Sequence, residues 1–412
     1  MIIPYMECLE KNWMTLSKRT RLCQVAPWVL LSIMPILILL TSFDSRYGFL
    51  QLIHFGQNFQ DNVLPEIRDF DMPELTPYGY DGQFYAQIAV DPLLRHDGLK
   101  QATYGEGELA YRARRIGLPL LAYLLGIGQP FLILQAYALL NFLFWILLLI
   151  ILNRFQNLNS AKGILLATAI MWSTGTLTSL ARAVPDLPAA VFTVLALVAH
   201  SSRTSGMFLG VAALFKETAI LSFPRVAWPE RKDGKNTIRN FMVSAILVFA
   251  PIVIWLIYIY FQLAVTTLQQ GTGNFSFPFS GVFNKVQNSI QAIATGIENR
   301  QWMALHFLFF ELACPISLSI QFIFMILHVD IRSDAWKTGI GFAVLFCFLG
   351  GSVWADQYAY SRVLLPLTIT FNFLICEQNQ KSYFWKWYIG GNFGMSWMCF
   401  DTVARPLIAA IR

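Results

Sequence analysis

Charge is what this chain has least of. Only 13% of its 412 residues are Asp, Glu, Lys or Arg, while 56% are hydrophobic, and a water-soluble domain carries charge at roughly 25% of its positions. With a mean hydropathy of +0.52, the sequence excludes a soluble protein and reads as an integral membrane protein. Nucleotide and hydrolase signatures are missing too. There is no Walker loop, G-x-S-x-G elbow, H-E-x-x-H pair or G-x-G-x-x-G fingerprint, which argues against nucleotide-driven transport and the common soluble hydrolase chemistries. Cysteine is sparse. Of the six, Cys8 and Cys23 precede the first apolar run, and Cys314, Cys347, Cys376 and Cys399 lie within later ones; they read as packing residues and offer no extracytoplasmic disulfide framework. The net charge of +6 falls mainly in short loops, as the positive-inside rule requires, and does not read as nucleic-acid binding.

What is abundant is uninterrupted apolar sequence. Residues 25–43, 130–152 and 163–181 carry no charge, and each approaches the ~20 residues a helix needs to cross the hydrocarbon. Weaker runs at 187–202, 241–263, 303–327, 338–353, 363–376 and 387–400 bring the expected total to about nine to eleven crossings. The expected fold class is an all-α polytopic membrane protein with a large helical first extracytoplasmic loop. Lys11, Lys18, Arg19 and Arg21 precede the first run, and no small-x-small cleavage pattern follows it. That run therefore reads as an uncleaved anchor (25–43) behind a cytoplasmic amino terminus (1–24). The outer loop would cover 44–129, membrane helices 130–264, a second outer loop 265–300 and further membrane helices 301–412. Residues 116–127 are too short for an ordinary crossing. If they cross, Arg154 and Lys162 fall outside; if they lie at the interface or re-enter, the basic residues of all later inter-span loops fall inside. The second count needs residues 204–223 to enter and leave on the cytoplasmic side, with the tip at Phe-Lys-Glu-Thr (215–218); a plain crossing is the simpler alternative.

Polar residues embedded in this background mark the candidate site. Residues 44–115 hold 11 of the 24 acidic residues and seven of the 30 lysines and arginines. Within them, YDGQFYAQIAVDP (80–92) has helical spacing, with Tyr80, Phe84 and Ile88 on one stripe. Such a helix suits the membrane interface, with Asp81 placed either to deprotonate a hydroxyl or simply to cap the helix. AYRARRIGLPLL (110–121) is echoed by AYSRVLLPLTI (359–369). Arg115 and Arg362 thus stand at matching places, suited to a lipid phosphate or to snorkelling anchorage. In ARAVPDLP (181–188), Arg182 and Asp186 are spaced for a local ion pair. Lys216 and Glu217 lie in an apolar stretch where each charge costs about 2.5–3.5 kcal/mol at the bilayer centre. As helix neighbours they would not face each other, so Lys216 is expected to reach a phosphate or an acid such as Asp186. Glu311 is a further intramembrane acid without an evident partner. His54, Asp81, Asp91, His96 and Asp97 share the first loop, but their spacing specifies no metal site.

The stretch DGQFYAQIAVDP (Asp81, Gly82, Gln83, Phe84, Tyr85, Gln87, Ala89, Asp91, Pro92), followed by Tyr111, Arg112, Arg115, Ile116 and Pro119, resembles the first loops of bacterial membrane proteins of cell-surface glycopolymer formation. Together with an uncleaved first span, an outer Arg182–Asp186 turn and a later Lys-Glu-Thr, it resembles the GT-C superfamily of membrane glycosyltransferases. That resemblance implies a GT-C-like fold in the bacterial cytoplasmic membrane, with the site facing the periplasm. It implies sugar transfer from a polyprenyl-phosphate donor to a glycan, lipid or protein acceptor. Asp81 would be the general base or metal ligand, and Arg112, Arg115, Arg182, Lys216 and Arg362 would bind donor phosphate or substrate. Gln83, Tyr85, Gln87, Asp91, Asp186 and Glu217 would support them. Some relatives use a divalent cation, Mg or Mn; Gly82 stands where some of them carry a second acid. The rival readings are a transporter or flippase of a lipid-linked saccharide, for which a second, symmetric broken segment is missing, and a non-enzymatic scaffold of a polysaccharide export complex.

Overall fold

Apolar length alone does not decide which segments of this chain reach across a membrane, because prolines, glycines and capping hydroxyls cut the runs. The computed structural model describes residues 18–68, 70, 77–158, 160–228, 237–264, 271–300, 302–377 and 381–399. The first half contains α1 (Lys18–Ser42), α2 (Gly82–Val90), α3 (Glu106–Ala113), α4 (Gly117–Leu125), α5 (Pro130–Gln156), α6 (Ala161–Met171), α7 (Thr174–Ala181), α8 (Asp186–Val198) and α9 (Ser202–Phe215). The second contains α10 (Thr237–Leu263), α11 (Ser280–Glu298), α12 (Trp302–Leu327), α13 (Asp334–Phe348), α14 (Gln357–Val363), α15 (Leu365–Glu377) and α16 (Lys381–Asn392), and no extended strand occurs among the described residues. Residues 1–17 of the expected amino-terminal segment, the basic positions Arg231, Lys232 and Lys235, the start of the second outer loop (265–270) and residues 400–412 lie outside the described residues.

Among the described residues, four helices are long and apolar enough to cross a membrane: Val25–Ser42 within α1, α5, Ile238–Leu263 within α10, and Leu308–Leu327 within α12. Two bent pairs, α6 with α7 at 49° and α14 with α15 at 56°, raise this to six if each pair is one span. The described residues thus form an all-helical, multi-pass membrane-type fold with four to six candidate spans where the apolar runs suggest nine to eleven, and local chemistry explains the difference. The 163–181 run breaks where Ser173 caps α7 by accepting from Thr176 N. The 187–202 run yields only the 13 residues of α8, which at ~1.5 Å per residue falls short of a ~30 Å hydrocarbon core. The 338–353 run ends with α13 at Phe348, the 363–376 run bends at Leu364, and the 387–400 run leaves the helix after Asn392. Residues 116–127 form the nine-residue α4, too short to cross.

Contacts sort the helix ends into two groups. At one end, Lys162 Nζ donates to Cys376 O (2.6 Å), Ser333 to Glu377 (3.3 Å), Arg203 to Asn240 (2.7 Å), and Arg225 to Ala199 O (2.8 Å). At the other, Tyr137 donates to Ala183 O (2.7 Å), Trp255 to Ala113 O (2.7 Å) and Tyr258 to Leu93 O (2.7 Å). Between these ends α9 runs from the first group to Phe215; the chain turns at an extended Lys216 (φ −156°, ψ 119°), and 3-10 turns at Glu217–Ser222 lead back to Arg225 beside Ala199. α10 then repeats that path alongside α9, packed through the Gly206-x-x-x-Gly210 face. A Cβ on Gly206 would lie 2.8 Å from Ser244 O, and one on Gly210 2.1 Å from Leu247 O. Small residues of this spacing let helix backbones approach closely in lipid.

The first loop is packed into the helices. Every residue of α2 from Gly82 to Ala89 is buried, so this segment is a core helix, and the interfacial placement expected from its spacing is corrected. Its glutamines satisfy buried backbone: Gln83 Oε1 accepts from Gly56 N (2.9 Å) and Gln87 Oε1 from Leu64 N (3.0 Å), while their amides donate to Tyr78 O and Ala102 O. Glu311 also has a partner, Lys285 of the amphipathic α11, at 3.2 Å.

Filling the α9–α10 contact tests this packing. Gly210→Ala should destabilise the protein by about 1–3 kcal/mol, the usual cost of overpacking a tight contact. Gly351→Ala, whose Cβ meets nothing within 4 Å, should leave the melting temperature in detergent unchanged.

Candidate functional site

A cavity of about 780 Å³ opens at the end of the helices where the first loop docks. Its charged lining comes from residues 80–85 at the start of α2, residues 108–115 of α3 and just beyond, the 216–218 tip beyond α9, and Asp356 and Arg362 at α14. Phe275, Leu345, Leu349, Val353 and Val363 form an apolar wall. Gly82 sets how closely the loop docks, since a Cβ there would lie 2.5 Å from Arg182 O and 2.9 Å from Ile53 O.

Charges that are costly to bury alone are joined in a chain. Arg362 lies between two acids, donating from Nη2 to Asp81 Oδ2 (2.6 Å) and from Nη1 to Asp186 Oδ2 (3.0 Å). Asp186 also takes the ammonium of Lys216 on its other oxygen. Next to it in sequence, Glu217 turns to Arg115, which grips both its oxygens through Nε and Nη2 at 3.0 and 2.9 Å. Arg115 further donates to Tyr85 (2.5 Å) and Tyr111 (3.2 Å). Arg115, Asp186, Lys216 and Arg362 are buried, where an unpaired charge would be several kcal/mol worse. Of these acids, Asp81 is the most open to the cavity, with a side chain 34% exposed.

Electrostatics follow from this wiring. Burial pushes the Asp81 carboxyl up, but Arg362, Arg112 and Arg115 together outweigh it and hold the group below the ordinary 3.8. His54 is pushed down to about 4, first by burial and then by Arg182. It is therefore neutral at pH 7, and its Nε2 meets Ala181 O at 3.0 Å, pinning the loop to the 181–188 turn. Arg182 is packed between the rings of Tyr80 (4.2 Å) and Tyr358 (4.1 Å), and Tyr80 donates to Asp356 (3.2 Å).

The structure brings Asp81, Gln83, Tyr85, Arg112, Arg115, Lys216, Glu217 and Arg362 to the cavity wall, with Asp186 directly behind. Three assignments are corrected. Arg182 and Asp186 do not form the local pair that their spacing suggested, because Asp186 faces inward to Lys216 and Arg362. Gln87 and Asp91 do not line the cavity: Gln87 serves loop backbone, and Asp91 Oδ2 accepts from Arg95 N and His96 N, closing a turn. Nor do Arg115 and Arg362 snorkel; each is 8% exposed and held by acids. Arg114, Asn274 and Asp356 also line the cavity and were not singled out from sequence, and Tyr111, named there only as part of the first-loop motif, joins them. Arg114 belongs to a run of three arginines in four positions, and no sequence signal separates its role from theirs. Asp356 was within reach, as a lone acid six residues before Arg362.

These donors do not suit a divalent cation. Asp81 and Asp186 share the Arg362 guanidinium, which occupies the place between them, and Glu217 is gripped by Arg115. Among the described residues no three His, Cys, Asp or Glu side chains converge as a metal site. No protein-family model matches the chain, and neither does any curated protein or solved structure.

Two outcomes follow from the wiring. Glu217→Gln leaves Arg115 buried without its counter-charge and should cost about 3–5 kcal/mol, lowering the melting temperature, whereas adding Arg115→Gln should recover part of the loss. Because the folded Asp81 titrates below 3.8, its stabilising contribution is complete above the unfolded value and disappears as the pH falls through the folded one. Melting temperature measured from about pH 5 down to about pH 3 should therefore fall less steeply in Asp81→Asn than in the wild type.

Proposed function

We propose that the protein is a membrane glycosyltransferase of GT-C type, moving a sugar from a polyprenyl-phosphate donor to a hydroxyl of a cell-surface glycan, lipid or protein. The observation that carries this reading is a partly open carboxylate, Asp81, held 2.6 Å from a buried guanidinium on the wall of a cavity lined by both charged and apolar side chains. Sugar transfer from a lipid phosphate needs those parts. The acceptor hydroxyl gives its proton to a base as its oxygen bonds to the anomeric carbon; the carbon–oxygen bond to the phosphate breaks, and the leaving phosphate keeps the electron pair and gains charge. Asp81 is the base on this reading. Held below 3.8, it is ionised at neutral pH and free to take a proton, while Arg362, Arg112 and Arg115 make it a weaker base than an isolated carboxylate. Arg112, Arg115, Lys216 and Arg362 are fixed around the cavity by their acid partners, so charge growing on the phosphate is met by cations that need no rearrangement. The apolar wall suits the prenyl tail.

The membrane orientation belongs to the same proposal. Lys162, Arg203, Arg225 and Lys337 gather at the helix ends opposite the cavity, so the positive-inside rule puts those ends in the cytoplasm and the cavity on the outer face, the periplasmic side of a bacterial cytoplasmic membrane.

Purified protein in liposomes, supplied with a panel of polyprenyl-phosphate sugars and followed by mass spectrometry, should consume one of them. Asp81→Asn should lower that transfer about 10²-fold or more, the usual range for a lost general base, while donor lipid remains bound. Undiminished transfer would refute the role of Asp81. Lipid movement between leaflets without transfer in the wild type would establish the flippase reading instead.

A further inference from the structure

The proposed reaction makes no use of a second ion pair, away from the cavity. Lys285 of α11, 8% exposed, meets Glu311 of α12 at 3.2 Å, and Ser289, one turn on, donates to Glu311 O (3.3 Å). Further along, a Cβ on Gly296 would lie 3.1 Å from Leu308 and 3.2 Å from Leu305. Just before the helix, the Phe279 ring stands 5.6 Å from that of Phe322. α11 therefore meets α12 at successive levels and runs antiparallel to it. A helix lying flat on a membrane would touch an upright span at one level; α11 instead stands beside the span Leu308–Leu327, with residues 284–291 at the level of Glu311.

The ion pair fixes which way α11 faces. With Lys285 and Ser289 turned to α12, the opposite surface carries two stripes. Phe283, Ile290 and Ile297, seven residues apart and 50–68% exposed, suit lipid chains. Beside them Asn284, Gln287, Asn288 and Gln291 share one helix face at i, i+3, i+4 and i+7. All four are exposed, and none is hydrogen-bonded through its side chain among the described residues. Amides that face hydrocarbon without partners are costly, so lipid covers the first stripe and leaves the second unsatisfied. In water the first stripe would be the one left uncovered.

We propose that the amide stripe of α11 is the contact between two copies of this chain in the membrane. An amide offers two donors and an acceptor with two lone pairs, so identical stripes related by a two-fold axis satisfy one another, whereas stripes of a single charge would repel. The stripe carries no charge: Lys285, the one charged residue at positions 284–291, is turned away to Glu311. Its alternating three- and four-residue steps are those that keep a seam between two helices continuous, and Asn and Gln are among the side chains that join helices within a bilayer. Both copies enter the membrane in the same sense, so the axis runs along the membrane normal and the two cavities open on the same face. This association stands apart from the reaction proposed above.

The test uses the full chain, labelled once at its carboxyl terminus, in liposomes of phosphatidylethanolamine and phosphatidylglycerol, with copies per particle counted by single-molecule photobleaching over a range of protein-to-lipid ratios. Wild-type protein should bleach in two steps well above the chance level, with a midpoint between monomer and dimer. Gln287→Leu combined with Gln291→Leu should move that midpoint at least about tenfold towards higher protein density, the scale of several lost hydrogen bonds between helices. Gln287→Asn with Gln291→Asn, which keeps the amides, should recover part of the shift. Phe283→Leu with Ile290→Leu, on the neighbouring stripe, should leave the midpoint in place. Because the amides make no bond within the described chain, the glutamine-to-leucine pair should melt where the monomeric wild type does. Single-step bleaching of the wild type at every ratio overturns the proposal whatever the variants do. A wild-type dimer that the glutamine-to-leucine pair leaves unmoved, or that the Phe283 and Ile290 changes weaken as much, overturns it as well. A monomeric wild type whose sugar transfer to a glycan is lost in the glutamine-to-leucine pair would give the stripe to the acceptor and overturn the contact between copies. Absence of any sugar transfer beside an amide-dependent dimer would remove the glycosyltransferase reading and leave the contact standing.

Discussion

The architecture depends on one guanidinium. Arg362 reaches from the short helix α14 to Asp81 in the first loop and Asp186 at the head of α8, joining three parts of the chain that are far apart in sequence. Without that side chain two carboxylates would face each other in a poorly hydrated pocket, an arrangement that drives one of them to take up a proton. With it, both remain charged and the loop is held against the helix ends. Lys216 and Arg115 extend the same logic, so the polar lining of the cavity is a chain of alternating charges rather than a set of separate bonds. Such chains add little to net stability compared with apolar packing, but they penalise any arrangement in which a member loses its neighbour. Alternatives to this fold, such as a loop slipped by a turn or a helix displaced along its axis, are therefore expensive.

Neutral polar contacts finish what the charges begin. His54 against Ala181 O, Tyr80 against Asp356, and the Gln83 and Gln87 amides against loop backbone hold α2 on all sides. A rigid loop suits the chemistry proposed for it, because a base must stay within hydrogen-bond reach of the proton it removes.

Long spans and embedded charges are the features a linear reading recovers well. Val25–Ser42 and Pro130–Gln156 stand out by apolar length, and Asp81, Arg115, Lys216, Glu217 and Arg362 stand out because charge amid apolar sequence is costly enough to need a reason. The number of crossings is harder to read, since hydropathy counts apolar residues and is blind to where Ser173 caps a helix or Leu364 bends one. Pairing is harder still: Arg182 and Asp186 are near in sequence, yet the partners of Asp186 come from positions 216 and 362. Polar residues such as Gln87 and Asp91 look like site residues for the same reason that real ones do, but they satisfy turns and buried backbone. Arg114 is the converse case, since its Nε and Nη2 find no acceptor among the described residues, which only three dimensions reveal.

The tip at Lys216 and Glu217 behaves as a two-sided key. An extended residue followed by a tight turn throws consecutive side chains in opposite directions, so the ammonium enters one lock, at Asp186, and the carboxylate the other, at Arg115. Losing or gaining a single residue between Phe215 and Thr218 would present the wrong sign to one lock or empty it. Insertions and deletions should therefore be selected against at this tip far more strongly than in the surrounding apolar helices, where a change of phase merely rotates one greasy face into another.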